Sequence, residues 1–170
     1  KAMGIDANRI ALLVAVLEKK VGYAMLAQDV FVNVAGGVRL AEPAVDLGVV
    51  VALASSHLNR PLDKRTVLFG EIGLAGEVRA VSHPELRVKE AARLGFNRCL
   101  LPYGNLKNLD KPTGIQLVGV RSATEALEDL FQGGRAKREV RGGKNLCRSS
   151  HLHFAPRERG TSNEGVDPFQ

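Results

Sequence analysis

The chain has 170 residues, 45 % of them hydrophobic and 25 % charged, which suits a soluble globular protein with one true core. Aromatics make up 5 % and Trp is absent, so that core must be aliphatic. No apolar run is long enough to cross a bilayer, two cysteines are too few for a disulfide framework or a zinc site, and no Walker-type phosphate loop is present. The net charge of +6 is uneven: from Gly133 onward eight Lys or Arg stand against four Asp or Glu, whereas the first 132 residues carry 16 and 14.

Residues 6 to 20 have a helical pattern, with Asp6 as N-cap, Lys19 and Lys20 at the negative end of the dipole and Gly22 as terminator. DVFVNVA, 29 to 35, alternates like a strand, and Gly36-Gly37 predicts a hairpin returning through VRL. Pro43 opens a second helix, 43 to 56. Strands are expected at 66 to 72 and 76 to 81, joined by the turn GLAG. Ser82 and Glu85 suggest a capping box for a helix reaching Leu94, which Gly95 stops. Strands at 97 to 102 and 115 to 120 follow, then a second capping box, Ser122 to Glu125, and a last helix through Phe131.

This order predicts an α/β (α+β) two-layer domain with a mixed sheet over residues 1–132. From Gly133 the periodicity stops, and residues 133–170 read as a disordered basic tail. Cys99, in RCLL, reads as a core residue, whereas Cys147 lies in the polar tail, a usage that fits a reducing compartment. His151 and His153 in that tail are read as carrying no metal.

Nucleophilic catalysis finds little support in the residue pattern. Ser82 and Ser122 are explained as caps, and Ser55 and Ser56 fall at the C-terminal end of their helix, where the dipole disfavours a developing anion. His57 and His83 are the histidines of the expected core. The second helix is apolar around most of its circumference, with a small-residue stripe, Gly48, Ala52 and Ser55, where another backbone can approach. One acid, Asp46, stands at its first turn and wants a cation if covered. Arg87, on the otherwise apolar side of the third helix, is the candidate partner; the alternative is that it snorkels to water.

The segments VFVNVAGGVRLAEPAVDLGVVVALASSHLNRPL, FGEIGLAGEVRAV and RVKEAARLGF closely resemble the C-terminal Lon-protease-like domain of the RadA (Sms) family of bacterial DNA-repair proteins. The likeness runs from about Lys1 to Phe131, and the start looks truncated relative to a family domain that has a further strand. It implies a Lon proteolytic-domain-like fold. In proteolytic relatives a Ser-Lys dyad acts, and those positions fall on Asp46 and Arg87 here. A carboxylate beside donors is a poor nucleophile, and arginine cannot accept a proton, so the expectation is a degenerate dyad, no catalytic residue, and a structural Asp46–Arg87 pair.

The resemblance further implies a cytoplasmic bacterial repair protein. Its ATP, magnesium and zinc belong to other domains, and this chain itself needs no cofactor. It would drive branch migration and DNA unwinding with a RecA-type recombinase as partner. This domain would form a homo-hexameric ring that contacts single-stranded or branched DNA non-specifically. Lys89 and Arg93 on one helix face, and Arg60, Lys64 and Arg65 in one loop, are the DNA-binding candidates. An active Lon-type serine peptidase and a pure oligomerisation module are the rival expectations.

Overall fold

The computed structural model describes residues 1–107, 109–110 and 112–132, together with the backbone of one short strand, Ala155–Pro156. The rest of the expected tail, with Cys147, His151 and His153, lies outside the described residues.

The elements in chain order begin with β1 (Ala2–Met3) and α1 (Ala7–Val16), which widens into a π-type turn over Leu17–Val21. Asp6 caps α1 by accepting from the Arg9 amide at 2.8 Å, and Gly22, at φ +87°, closes the turn. Next come β2 (Gln28–Asp29), β3 (Val32–Asn33), a 3₁₀ turn at Pro43–Val45 and α2 (Asp46–His57). Then follow β4 (Thr66–Leu68), β5 (Glu71–Ile72), β6 (Val78–Arg79), α3 (Pro84–Arg93) and β7 (Arg98–Pro102). The described core ends with α4 (Tyr103–Leu106), β8 (Gln116–Val120) and α5 (Ala123–Leu127), which also widens at its end. The backbone strand Ala155–Pro156 is β9, antiparallel to β2.

The fold is α/β, with parallel and antiparallel pairs spread over several small sheets rather than mixed in one. The largest sheet, β4-β7-β8, is wholly parallel. Its central strand explains itself chemically. RCLLP is an almost unbroken apolar run, as a strand covered on both faces requires. Cys99 and Leu101 pack with Val88 and Ala91 of α3, whereas Leu100 packs with α1, α2 and α5. At this sheet the expected two layers are therefore three.

Two local signals do not act as expected. Gly36 and Gly37 sit in a short helical turn, and Val38–Leu40 does not return along 29 to 35 as a hairpin. Instead β3 pairs parallel with β1, and Leu40 rejoins the same N-terminal segment by donating to the Gly4 carbonyl at 2.7 Å. Gly4 is needed there: its φ is +80°, and a Cβ would lie 2.7 Å from Val34 Cβ. Ser82 is not the expected cap either. His83, at φ +53°, occupies the N-cap position of α3 without a side-chain bond. Ser122 does cap α5, accepting from the Glu125 amide at 3.1 Å, while the Glu125 carboxylate reaches back to the Arg121 amide at 2.7 Å.

The GLAG turn forms as expected, and its hairpin β5–β6 docks on the start of α5 through Val78 N–H to Arg121 C=O at 2.8 Å. The expected strand 66 to 72 is broken at Phe69 and Gly70. Gly70 leaves the parallel sheet to bond the first turn of α2, donating to Ala44 C=O at 2.8 Å and accepting from Leu47 N–H at 3.0 Å.

Candidate functional site

That double bond at Gly70 fixes the environment of Asp46. Residues 70 to 72 run across the N-terminus of α2, and the Ile72 amide donates to Asp46 Oδ2 at 3.1 Å. Arg9, one turn into α1, supplies the countercharge. Its Nε donates to Asp46 Oδ1 at 2.8 Å, and its second nitrogen meets Oδ2. The carboxylate is completely buried, while the Arg9 side chain remains about one-third exposed, at 32 %. Hydrogen bonding to Asp46 holds the guanidinium above its ordinary pKa against the opposing effect of burial.

The expected Asp46–Arg87 pair does not form. Arg87 instead forks between the Ser82 carbonyl, at 3.0 Å, and the Glu42 carboxylate, and it lies over the Phe69 ring at 5.8 Å. The reason lies in packing. α1 sits directly against α2 and delivers Arg9 into the buried acid, whereas α3 lies across the parallel sheet from the α1–α2 layer. Nothing local in the sequence marks Arg9 as the partner of Asp46, 37 residues away on another helix; only the docking of α1 on α2 brings the two together.

Chemically, this centre is closed. Both oxygens of Asp46 are engaged, and no face is open to a substrate carbonyl. The two groups that a helix-end serine site would need are engaged elsewhere: Ser55 donates its hydroxyl to Arg60 C=O at 2.6 Å, and His57 stacks on Tyr23 at 5.3 Å between centroids. Nor do the residues fit the cofactors that the resemblance places in a longer protein. The sequence has no phosphate loop, and among the described residues no three His, Cys, Asp or Glu side chains converge on a metal site. Among the described residues, no helix is long and apolar enough to cross a membrane.

A family model, "Subunit ChlI of Mg-chelatase", matches residues 8–105, more than half of the chain. The chain belongs to the ChlI family. The match spans Arg9, Asp46 and Arg87, so the ion pair just described lies inside the family domain. Among curated relatives, the DNA repair protein RadA of Bacillus subtilis is 51 % identical over 132 residues, covering 78 % of this chain. RadA of Halalkalibacterium halodurans is 54 % identical over 127 residues, and RadA of Streptococcus pyogenes serotype M6 is 45 % identical over 128, each covering 75 % of the chain. The resemblance to RadA expected from the sequence is therefore shown. This ChlI-family chain spans under a third of those relatives, 28 to 29 % of their length.

The basic candidates fall around the end of the parallel sheet where β4 and β7 begin. Arg60, Lys64 and Arg65 are exposed in the loop before β4, and Lys89 and Arg93 are exposed on α3. The Arg65 carbonyl accepts from the Asn97 amide at 3.1 Å, so the loop abuts the turn that ends α3. Their charge is partly spent inside the fold. Arg93 is forked onto Glu90, with Nε to Oε2 at 2.8 Å, and Arg60 lies over Phe131 at 5.7 Å. Asp63 accepts from the Arg65 amide at 2.8 Å and adds a negative charge to the loop.

A second cationic feature was not anticipated. At the other end of β7 and β8, Tyr103 stands beneath Arg121 at 3.7 Å and Lys107 at 5.2 Å. The pairing of one of only two tyrosines with a nearby Lys was visible in PYGNLK, but Arg121 is brought there by sheet register alone.

Proposed function

We propose that this chain is a scaffold domain of a RadA-type DNA repair and recombination protein, without peptidase activity, that assembles as a hexameric ring and contacts DNA non-specifically. One observation carries the reading. Half of the residues are identical over 132 positions to a protein named for DNA repair, a density that a shared fold alone does not require. The closed state of Asp46 supports loss of proteolysis. A carboxylate held by a guanidinium and an amide attacks nothing, and an arginine at the position of the dyad lysine supplies donors only and no general base. ATP-driven branch migration and unwinding, with their magnesium and zinc, belong in this reading to the parts of the RadA relatives that this chain does not span.

Exposed cations suffice for phosphate contacts, so Lys64, Arg65, Lys89 and Arg93 are the proposed DNA-facing set. The test is fluorescence anisotropy of labelled single-stranded DNA against the chain over a salt series, with light scattering to give the mass and a casein-cleavage assay alongside. Binding that weakens with salt at a log–log slope of about −0.7 per phosphate neutralised, on a ring-sized particle without cleavage, is the expected result. Cleavage of casein that Ser55→Ala or Ser82→Ala abolishes would establish the peptidase instead. A ring that ignores DNA at low salt would reduce the domain to an oligomerisation module.

A further inference from the structure

A cavity of about 480 Å³ opens beside α2, within the size range of ligand sites. Two sheet edges line it. β3 pairs only with β1 among the described residues, through the Val32 and Val34 amides at 3.0 and 3.1 Å from the Lys1 and Met3 carbonyls. Alternation along the strand turns the peptide groups of Asn33 the other way. β4 is the edge of the three-stranded sheet, and the Phe69 amide donates to Leu100 C=O at 3.2 Å. The same alternation turns the peptide groups of Leu68 away from β7. Asn33 and Leu68 both line the cavity.

The remaining wall is the small-residue face of α2, with Ala44, Gly48 and Ala52. A Cβ at Gly48 would meet nothing within 4 Å. Glycine weakens a helix relative to alanine, and no neighbour in the fold requires it here. The space above Gly48 is therefore open, with nothing in the described fold filling it. Arg87 is the one charged residue on the lining, with its side chain 27 % exposed and its present partner, Glu42, half exposed outside the lining.

We propose that this cavity is a strand-addition site for an extended, apolar segment of a partner protein that carries a carboxylate at one end. The peptide backbone bonds the free edges at Asn33 and Leu68, alternate side chains fill the space over Gly48 and Ala52, and the carboxylate exchanges with Glu42 for Arg87. Charge complementarity selects this occupant: a single cation on an otherwise uncharged apolar lining matches one acid, whereas a nucleic acid would bring a polyanion to an apolar wall. Asp46 does not line the cavity, so the site is distinct from that buried acid.

The test titrates a fluorescein-labelled hexapeptide amide, Val-Thr-Val-Thr-Val-Asp with an amidated C-terminus, whose Asp side chain is the peptide's one carboxylate, into the full chain. Anisotropy and backbone amide NMR shifts are followed. The expected result is saturable binding with shifts at Asn33, Gly48 and Leu68, and at least tenfold weaker binding when alternate peptide nitrogens are methylated. Gly48→Leu and Ala52→Leu, each checked for an intact melt, should also weaken binding at least tenfold. Arg87→Gln should erase the preference for the acidic peptide over one ending in lysine amide. Absence of saturable binding, shifts confined to other surfaces, or affinity unchanged in whichever filled variant folds would overturn the proposal. So would self-association of the chain that Gly48→Leu abolishes without any peptide binding, because the occupant would then be a second copy.

Discussion

Arg9 of α1 grips both carboxylate oxygens of Asp46 at the first turn of α2, and the Ile72 amide completes the set. The pair ties the N-terminal helix to the central one and to the chain that leaves the parallel sheet. Arg9→Ala leaves a fully buried, half-satisfied carboxylate, and a loss of about 3 kcal/mol is expected in urea denaturation. The double variant Arg9→Met/Asp46→Leu should recover most of that loss, short of about 1 kcal/mol for the orphaned Ile72 amide. Equal stability of Arg9→Ala and the parent would show that the pair contributes nothing.

Arg87 gives the contrasting case. Its carboxylate partner is half exposed and its ring contact is peripheral, so Arg87→Ala should cost about 1 kcal/mol or less. A melt as damaged as that of Arg9→Ala would contradict the peripheral place given to Arg87 here.

Two glycines on neighbouring segments should respond in opposite directions. A Cβ at Gly70 would sit 2.8 Å from Val78 Cγ1, on a residue whose amide and carbonyl both hold α2 in place. Gly70→Ala should therefore destabilise by about 1–3 kcal/mol. Gly48→Ala meets open space in a helix interior and should stabilise by up to about 1 kcal/mol. Thermal melts of both variants decide this, and a destabilised Gly48→Ala would contradict the open space above α2.

Cys99 is buried between α3 and the sheet, and burial pushes its thiol from 9.0 up to about 12. The unfolded chain therefore releases this proton first as pH rises. The contribution is full below pH 9 and is lost between pH 9 and 12, at about 1.4 kcal/mol per pH unit. A Cys99→Ala variant, less stable at neutral pH, should lose less on going from pH 8 to 10.5. In the Cys147→Ser background, native protein should react with a thiol reagent only at the rate of opening. Fast native labelling would place Cys99 outside the core.

The DNA reading makes an electrostatic prediction of its own. Glu90 is forked by Arg93, so Glu90→Gln should free a cation and tighten single-stranded DNA binding at low salt. Lys89→Ala and Arg65→Ala should each lower the salt slope by about 0.7. Unchanged slopes in both would move attention to Tyr103, Arg121 and Lys107 at the opposite end of the sheet.

Much of the local chemistry was legible where a signal acts within a few residues. The Asp6 cap, the Gly22 stop, the GLAG turn, the Ser122 cap, the apolar β7 and the core position of Cys99 all follow from neighbours in sequence, and the folded chain keeps each one. The RadA resemblance was legible for the same reason, because it is carried by residue identity. Partner choice across the fold was not. The Gly36-Gly37 turn lost to pairing with the N-terminal segment, because parallel ladder bonds to Lys1, Met3 and Gly4 replace those a hairpin would have made. Asp46 announced that it needed a cation, but a helical wheel ranks faces of one helix and says nothing about which helix arrives. Only the docking of α1 on α2 selected Arg9, and only the separation of the β1–β3 pair from the parallel sheet left two strand edges on one cavity.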